Sequence, residues 1–307
     1  MPPKLLIQLV RFGWTTLWRI MMSKLAPRDT SGAYIRPESE FRSQSVSAAP
    51  GRYRLFVGLG CPWAHRTLVT RALKGLEDII SVSIVIPSPE NGGWILEKPE
   101  LGCTTLADLY RRAKPGYQGR STVPVLWDCE TNTIVNNESS EIIIILNSAF
   151  NEFAKHPELD LYPEALQPEI DSWNEKIYHA VNNGVYRCGF AQTQAAYETA
   201  CRELFTMLDT IDETLSTRRY LCGDTLTLAD VRLFTTLFRF DVVYYSLFKC
   251  SIRRIQDYDH LSVYLNDFYQ LPGVAETCDL ESVKRDYYGN LFPLNPGGII
   301  PLSAQNL

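Results

Sequence analysis

The sequence lacks the compact patterns of metal-binding residues. Its four histidines, His65, His156, His179 and His260, lie far apart, and none of them stands near a cysteine in a metal-ligand pattern. The eight cysteines are also scattered, and no two of them have the spacing of a Cys-x-x-Cys pair. Zinc sites and small disulfide scaffolds both depend on such spacings. We therefore expect no metal, and a reducing, cytoplasmic compartment in which the thiols stay free.

Positive charge is also scarce. The chain has 30 Lys and Arg against 35 Asp and Glu, a net charge of -5 at pH 7, and its basic residues are scattered along the sequence. Because a nucleic-acid surface needs the opposite balance, we expect no nucleic-acid partner and favour small-molecule chemistry. With 307 residues, of which 45% are hydrophobic, two domains are the expectation.

No long uncharged hydrophobic run is present. The most apolar stretch, residues 5–22, is interrupted by Arg11 and Arg19 and is too short to span a bilayer, so we expect no stable membrane insertion. The stretch is basic and amphipathic, which predicts a helix. We expect this helix to dock on the protein's own surface in preference to a membrane interface. Residues 30–50, which are rich in serine, form a predicted linker.

A lone cysteine opens a predicted helix. Residues 53–59 form a predicted strand, and residues 62–76 form a predicted helix that begins directly after Cys61. The unpaired N–H groups and the positive dipole end of a helix start favour a thiolate, so we expect a lowered pKa for Cys61. Ala64 occupies the position that would complete a Cys-x-x-Cys pair. Any disulfide of Cys61 must form with another partner, and a small thiol such as glutathione is the first candidate.

The elements around Cys61 follow the order of a thioredoxin-like domain. Further strands are predicted at residues 79–86, 123–127 and 133–135, and a helix at residues 139–147. A β-α-β unit followed by a β-β-α unit gives a small mixed sheet with helices on its faces. Residues 87–119 are too long for an ordinary connection and predict an insertion over the active face. Within it, Trp94 lines a pocket or covers the insertion's own core.

Two features of this domain suit a peptide-like ligand. A cis peptide at Val123-Pro124 would leave the Val123 backbone free to pair with an extended peptide, although the sequence does not give the isomer. Glu138 and Ser139 begin a run that predicts a helix start with a hydroxyl cap and an acidic first turn. Such a terminus also binds carboxylates. Capping alone would explain these residues, and without further context it is the favoured explanation.

The second half of the chain is predicted to be all-α. Helical periodicity is present at residues 170–182, 194–216, 228–240 and 261–270, and strand patterns are absent after residue 163. Thr227 and Asp230 have the spacing of a capping box at the third of these helices. This half is rich in tyrosine, and most of these side chains are expected to pack with a hydrated hydroxyl.

Together, these features resemble the glutathione transferase superfamily, and in particular its Xi class, the glutathionyl-hydroquinone reductases. The resemblance covers about residues 50–301 and is carried by motifs at residues 61–66 (Cys-Pro-Trp-Ala-His-Arg), 119–128, 137–141, 182–187, 239–241, 248–250 and 284–288. It implies the glutathione transferase fold, an α/β thioredoxin-like N-terminal domain plus an all-α C-terminal domain. Residues 1–50 would then be an N-terminal helix and linker, residues 51–155 the glutathione-binding domain, and residues 160–307 the helical domain with a C-terminal extension. A homodimer is also implied.

The resemblance further implies glutathione-dependent reduction of glutathionyl-hydroquinones to hydroquinones. Cys61 would attack the sulfur of the conjugate and form a mixed disulfide, which a second glutathione would release. Tyr186 would donate a proton to the leaving ring, and Tyr244 and Tyr287 would hydrogen-bond near the sulfur and lower its pKa. The motifs leave the neighbours of the last two, Tyr245 and Tyr288, as alternatives. The residues implied to hold glutathione are Trp94, Arg120, Ser121, Thr122, Val123, Glu138 and Ser139.

Two other functions fit part of this pattern. An Omega-like thioltransferase or dehydroascorbate reductase also uses a cysteine at a helix start, but it needs no proton-donating tyrosine. A transferase-like binding module without catalytic activity would need neither the cysteine nor the tyrosine.

Overall fold

A six-stranded mixed sheet occupies the first half of the chain in the computed structural model, which describes residues 3–88, 90–91 and 93–302. The strands are β1 (Tyr53–Val57), β2 (Ser81–Ser88), β3 (Gly93–Glu100), β4 (Cys103–Thr105), β5 (Val125–Asp128) and β6 (Thr133–Asn136). They lie in the order β4-β3-β2-β1-β5-β6, and β1 and β2 form the parallel pair. The central position of β1 explains its almost wholly apolar sequence, because strands covered on both faces lose the polar alternation.

Helices cover the sheet and build the second half of the chain. They are α1 (Pro3–Leu25), α2 (Pro62–Leu73), α3 (Leu106–Ala113), α4 (Ser139–Ser148), α5 (Gln167–Ile177), α6 (Gly184–Gly189), α7 (Gln194–Leu215), α8 (Leu228–Arg239), α9 (Leu261–Tyr269) and α10 (Leu280–Asn290). One hydrophobic cluster surrounds the sheet, and a larger one fills the helical half. The predicted thioredoxin-like order and the all-α second half are confirmed. At α8, the Asp230 carboxylate accepts from Thr227 N–H at 2.9 Å, as the capping box predicted.

The long segment between β2 and β5 is more regular than the sequence suggested. The predicted insertion forms β3 and β4, which extend the sheet, and helix α3; residues 89 and 92 lie outside the described residues. Thr105 and Asp108 cap α3 reciprocally, with hydrogen bonds of 3.1 and 2.9 Å. Strand β3, next to the edge strand β4, holds Pro99 and charged residues, and its residues Glu97, Lys98 and Pro99 are exposed. Such a strand gives no clear hydrophobic period, so the sequence alone does not predict it.

Two predicted helices end in π turns. The expected helix over residues 170–182 is α5 followed by a π turn at Tyr178–Asn182, and the one over residues 228–240 is α8 followed by a π turn at Phe240–Tyr244. In each, an N–H bonds to the carbonyl five residues earlier at 2.8 Å, from Asn183 to Tyr178 and from Tyr245 to Phe240. A π turn adds a residue to the helical repeat and re-aims the side chains that follow.

The expectation for the N-terminal helix is wrong over most of its length. Within α1, only Met22 is buried, and the apolar side chains from Leu5 to Ile20 other than Trp18 are 45% to 73% exposed. The helix contacts the rest of the protein near its C-terminal end, where Trp18 and Leu25 pack on the helical core. Among the described residues, no helix is both long and apolar enough to cross a membrane.

Candidate active site

Cys61 lies at the junction of the two halves. It is the N-cap of α2, with extended backbone angles, and its N–H donates to Gly58 O at 3.0 Å. Its half-buried thiol donates to Val123 O at 3.8 Å. The sulfur therefore sits between the start of α2 and the loop that precedes β5.

The pKa of Cys61 is not shifted in the direction we expected. Burial raises the pKa of the thiol, and this effect outweighs the N–H groups of Ala64 and Trp63 and the positive charges of Arg239 and Arg36, which lower it. The sequence shows the helix start but not the desolvation of the sulfur, and desolvation disfavours the charged form. In this geometry, the thiol keeps its proton and donates it to Val123.

The loop before Cys61 is fixed by two residues to which the sequence assigned no role. Arg239, which is buried, donates to the carbonyl oxygens of Leu59 and Gly60 at 2.9 Å each. Asp286 accepts from Gly60 N–H at 3.1 Å, and burial raises the pKa of this carboxyl to about 6. Both residues stand in motifs that carried the family resemblance, at residues 239–241 and 284–288, so the sequence did contain a signal for their importance.

The same loop requires glycine at two positions. A Cβ on Gly60 would lie 2.4 Å from the Asp286 carboxylate, and a Cβ on Gly58 would lie 2.5 Å from the indole ring of Trp94. Contacts this short cannot form without displacement of a neighbour. Trp94, on β3, is thus packed directly against the loop that carries Cys61.

Three tyrosines expected near the sulfur are joined by hydrogen bonds. The Tyr287 hydroxyl lies 2.5 Å from the Tyr186 hydroxyl and 3.0 Å from that of Tyr244. Phe248 packs on all three rings, at centroid distances of 5.3 to 5.8 Å. Trp63, two residues after Cys61, stacks on the Tyr186 ring at 6.2 Å. The structure therefore brings residues from α6, the second π turn and α10 to the start of α2.

All three hydroxyls remain protonated at neutral pH. Burial raises the pKa of Tyr186 and Tyr287 well above the ordinary value and that of Tyr244 to about 12. The neighbouring Cys61 sulfur adds to the increase for Tyr186 and Tyr244. The hydroxyls of Tyr244 and Tyr287 bond to each other, and their predicted role near the sulfur stays a prediction. Tyr186 is the partly exposed member of the trio, whereas Tyr244 and Tyr287 are buried.

The structure also distinguishes these tyrosines from their neighbours. The Tyr288 hydroxyl is bonded to Ser246 Oγ at 2.5 Å and to Val242 O at 3.1 Å, away from the trio. The Tyr245 ring lies under the Arg254 guanidinium at 5.0 Å. The hydrogen-bonded trio thus contains Tyr244 and Tyr287 and neither of their neighbours.

The loop that precedes β5 supplies backbone groups beside the sulfur. The Val123-Pro124 peptide is cis, and β5 begins at Val125, so Val123 precedes the sheet ladder. Tyr110 fixes this loop, since its hydroxyl donates to Thr122 O at 2.8 Å. Ser121 is half-buried, and Arg120 is exposed without an ion pair among the described residues.

Glu138, and not a hydroxyl, caps α4. Its carboxylate accepts from Ser140 N–H at 3.1 Å and from the Ser39 hydroxyl at 3.0 Å. Burial raises the pKa of Glu138, but these hydrogen bonds and Arg66 outweigh it, so the net pKa is lowered and the group stays charged. Ser139 is buried at the first helical position, where Arg66 Nη1 donates to its hydroxyl at 3.4 Å. The predicted hydroxyl cap is therefore corrected to a carboxylate cap.

A polar cavity of about 330 Å³ adjoins Glu138. It is lined by Arg36, Pro37, Glu38, Ser39, Arg42, Arg66, Glu138, Ser140, Asn174, Glu175, Tyr178 and Arg232. The Nε atoms of Arg66 and Arg232 are buried without a hydrogen-bond partner among the described residues. Arg66 donates only to neutral oxygens, with Asn182 Oδ1 at 2.6 Å. The lining thus holds carboxylates and unpaired guanidinium groups side by side.

His65 has a packing role. It is buried, its Nδ1 accepts from Arg239 Nη1 at 2.8 Å, and its Nε2 lies 2.9 Å from Thr277 Oγ1. Burial and the Arg239 charge keep its pKa well below the ordinary value, so the ring is neutral. Among the described residues, no group of three or more His, Cys, Asp or Glu side chains is arranged to hold a metal ion.

Comparison with known proteins agrees with this arrangement. Family models described as the N-terminal and C-terminal domains of glutathione S-transferase match residues 60–149 and 194–267. The chain is 46% identical to the glutathionyl-hydroquinone reductase PcpF of Sphingobium chlorophenolicum, over 91% of this chain and 93% of that protein. It is also 46% identical to the glutathione S-transferase omega-like 2 of Schizosaccharomyces pombe, over 82% and 85% of the two chains.

A solved structure gives the same answer. The Xi glutathione transferase ECM4 from Saccharomyces cerevisiae, in complex with glutathione, superposes with a TM-score of 0.85 at 36% identity, over 89% of this chain and 98% of that one. The matched models, the sequence identity and the shared fold cover both halves that meet at Cys61. The chain belongs to the glutathione S-transferase family, in the group that holds the Xi-class transferases and the glutathionyl-hydroquinone reductases.

Proposed function

We propose that this protein reduces glutathionyl-hydroquinones to hydroquinones, with glutathione as the reductant. The observation that carries the proposal is the meeting of one thiol, at the start of α2, with a hydrogen-bonded set of protonated tyrosines from the helical half. A thiol alone suffices for disulfide exchange. Cleavage of an aryl carbon–sulfur bond also needs a proton for the carbon that leaves, and Tyr186 would give it.

In the first step, the Cys61 sulfur attacks the sulfur of the bound conjugate. A sulfur–sulfur bond forms, the carbon–sulfur bond breaks, and its electron pair stays on the ring carbon. Tyr186 protonates that carbon and is reprotonated by the proton that the Cys61 thiol has lost. The products are the free hydroquinone and a mixed disulfide of Cys61 with glutathione, and the protons balance.

In the second step, a further glutathione attacks the mixed disulfide. Its thiolate forms oxidised glutathione and releases Cys61, which takes up the proton of the incoming thiol. Two electrons pass from two glutathione units to the ring over the cycle. The absence of a second cysteine at position 64 leaves glutathione itself as the resolving thiol.

The tyrosine trio suits the proton transfer. A phenol with a raised pKa is a proton donor that stays loaded at neutral pH, and Tyr287 links Tyr186 to Tyr244 so that charge formed on Tyr186 is shared by hydrogen bonds. The partial exposure of Tyr186 gives it access to a substrate ring, which the buried Tyr244 and Tyr287 lack. Tyr186 is thus the donor, and the other two support it.

Glutathione would lie along the sheet half. The Val123 backbone would pair with its cysteinyl unit beside Cys61, and Trp94, Arg120, Ser121 and Thr122 would line the same stretch. Its γ-glutamyl end carries an ammonium and a carboxylate. The charged Glu138 and the first turn of α4 at Ser139, next to a cavity of mixed charge, suit such a zwitterion.

The compartment and assembly follow from the same proposal. All eight cysteines are free thiols, which fits the cytoplasm and its glutathione supply. A homodimer is part of the proposal because it is the expected assembly for this family. Sedimentation of the purified chain tests it directly.

Trapping the intermediate tests the reaction. The protein is mixed with a glutathionyl-hydroquinone without free glutathione, quenched in acid and weighed intact. We expect an adduct of about 305 Da on Cys61, roughly one per chain, with an equal amount of hydroquinone released. Cys129→Ala, which removes a half-buried thiol outside the site, should give the same adduct. Release of hydroquinone without an adduct on Cys61 would contradict the mechanism, and no release at all would favour a binding module.

An Omega-like thioltransferase or dehydroascorbate reductase is the alternative, and the omega-like name of the fission-yeast relative gives it weight. Such an enzyme would use Cys61 but not the tyrosines. The hydrogen-bonded trio favours the reductase, because disulfide exchange expels a sulfur that needs no carbon protonation. A raised pKa of the free Cys61 thiol does not decide between them, whereas the products of turnover do.

A further inference from the structure

Helix α1 is the one long element whose apolar side points away from the rest of the protein, within the described residues. At about 100° per residue, its apolar side chains Leu6, Leu9, Val10, Leu17 and Ile20 fall on one side of the helix. These side chains are 49% to 62% exposed. They form a continuous apolar face, which we call the outer face of α1.

The opposite side of α1 is polar and basic. Lys4, Gln8, Arg11, Thr15 and Arg19 follow each other at three- or four-residue spacing along this side. With Lys24, the helix has four basic residues and no acidic one. The rest of the chain has 26 basic and 35 acidic residues, so the positive charge of α1 is local.

The contacts that attach α1 to the rest of the protein determine which way its polar side and its apolar outer face point. Met22 is fully buried in the helical core, and Trp18 Nε1 donates to Pro293 O at 3.1 Å. Met22 lies 18 residues after Lys4, about five helical turns, and therefore projects in the same direction. The globular part of the protein is thus on the polar side of α1, and the outer face is turned away from it.

We propose that α1 binds the surface of an anionic lipid membrane. A helix in the interface needs its apolar side in the acyl region, its basic side at the headgroups, and any attached domain on the water side, and α1 meets all three conditions. Trp14, 47% exposed, is of the type that settles at headgroup level, and Phe12, 73% exposed, adds apolar surface. A second copy of the chain is a poorer occupant of the outer face. Contact between two outer faces would cover the apolar side chains but would leave the four basic residues of the helix, with no acidic residue among them, without a partner of opposite charge.

Vesicle flotation of the full chain tests the proposal. Vesicles of phosphatidylcholine alone are compared with vesicles that contain about one third phosphatidylserine. We expect the protein to float with the anionic vesicles only, and to be released when the salt is raised to about 0.5 M, which screens surface charges. Arg11→Gln with Arg19→Gln should weaken binding by about 30-fold, since each basic residue near the surface contributes a factor of about five.

Matched variants test the outer face. Leu9→Glu with Leu17→Glu should abolish flotation, whereas Ile252→Glu with Val263→Glu, at apolar positions 67% and 57% exposed elsewhere, should leave it unchanged. All four positions are exposed, so thermal unfolding and turnover with a glutathionyl-hydroquinone serve as folding controls. Light scattering on the same proteins reports their mass.

Several results would overturn the proposal. They are a chain that does not float, equal flotation with neutral vesicles, or unchanged flotation of the Leu9 and Leu17 variant. The Leu9 and Leu17 variant could also have half the mass of the parent chain while neither protein binds lipid. That result would assign the outer face to contact with a second copy of the chain. None of these outcomes depends on the catalytic reaction.

Discussion

The two halves of the molecule contribute opposite kinds of groups to the site. The sheet half offers backbone and open polar groups: the Val123 carbonyl, the start of α4 and the exposed Arg120. The helical half offers phenol hydroxyls in a desolvated cluster, bonded to each other. Recognition of a charged tripeptide tolerates water, whereas a proton donor that must keep its proton gains from burial. Cys61 lies where these two environments meet.

Removal of Cys61 should have the largest effect, because both halves act on its sulfur. We expect Cys61→Ala to lower turnover of a glutathionyl-hydroquinone by at least about 10³-fold, since no other thiol can form the mixed disulfide. Steady-state release of hydroquinone measures it. Cys129→Ala should leave the rate unchanged, and residual turnover above one hundredth in Cys61→Ala would place the nucleophile elsewhere.

Tyr186→Phe separates the contribution of the helical half to the reaction from that of the sheet half. We expect hydroquinone release to fall by about 10²- to 10³-fold, the usual range for loss of a general acid, while glutathione exchange at Cys61 is retained. Exchange is followed with a small mixed disulfide of glutathione. Tyr288→Phe is the matched control, because its hydroxyl bonds to Ser246 and Val242 and lies outside the trio. An equal loss of both reactions in Tyr186→Phe would mean a structural role only.

Arg120→Ala probes the sheet half alone. We expect KM for the glutathionyl substrate to rise about tenfold with kcat nearly unchanged, since a charged hydrogen bond at an exposed site contributes about 1.5 kcal/mol. Arg219→Ala, an exposed arginine of the helical half, is the control and should leave KM unchanged. A fall in kcat with KM unchanged would contradict the binding role.

Substitution of Asp286 should have the smallest effect on activity, and this effect should be visible in the pH profile of kcat/KM. Burial raises the pKa of this carboxyl to about 6, so it loses its charge as pH falls through 6 and then holds Gly60 N–H less strongly. We expect kcat/KM to fall two- to threefold below this pH, and Asp286→Asn, which keeps an acceptor oxygen, to remove that limb. A limb near pH 6 that persists in Asp286→Asn would belong to another group.

The contribution of Asp286 to folding stability should change with pH in the direction opposite to its effect on activity. The pKa of Asp286 in the folded protein lies above the ordinary value for an aspartate, so the folded protein holds the proton more tightly than the unfolded chain. The contribution of Asp286 to stability is therefore fully present below about pH 4 and is lost as pH rises through 6. Urea midpoints of the parent chain and Asp286→Asn between these pH values measure it.

The sequence by itself determined the elements with strong local signals. The apolar strand β1, the cysteine at the start of α2, and the capping box of α8 each depend on neighbours in the chain, and the structure has all three. The short α6, the strand β3 and the π turns have no such signal, because their hydrogen bonds depend on the elements packed around them. The prediction of a continuous helix over residues 170–182 failed at the π turn that precedes Tyr186, whereas the helix predicted over residues 228–240 ends where the second π turn begins.

Only the tertiary structure decided the state of the reacting groups. That Tyr287 and not Tyr288 joins the trio, that Glu138 caps α4, that Arg239 and Asp286 hold the Cys61 loop, and that α1 turns its apolar side outward all depend on contacts between residues far apart in sequence. The pKa of Cys61 shows the reason most clearly. A helix start can be read from residue order and favours the thiolate, but desolvation depends on what surrounds the sulfur in space, and here it is the larger effect.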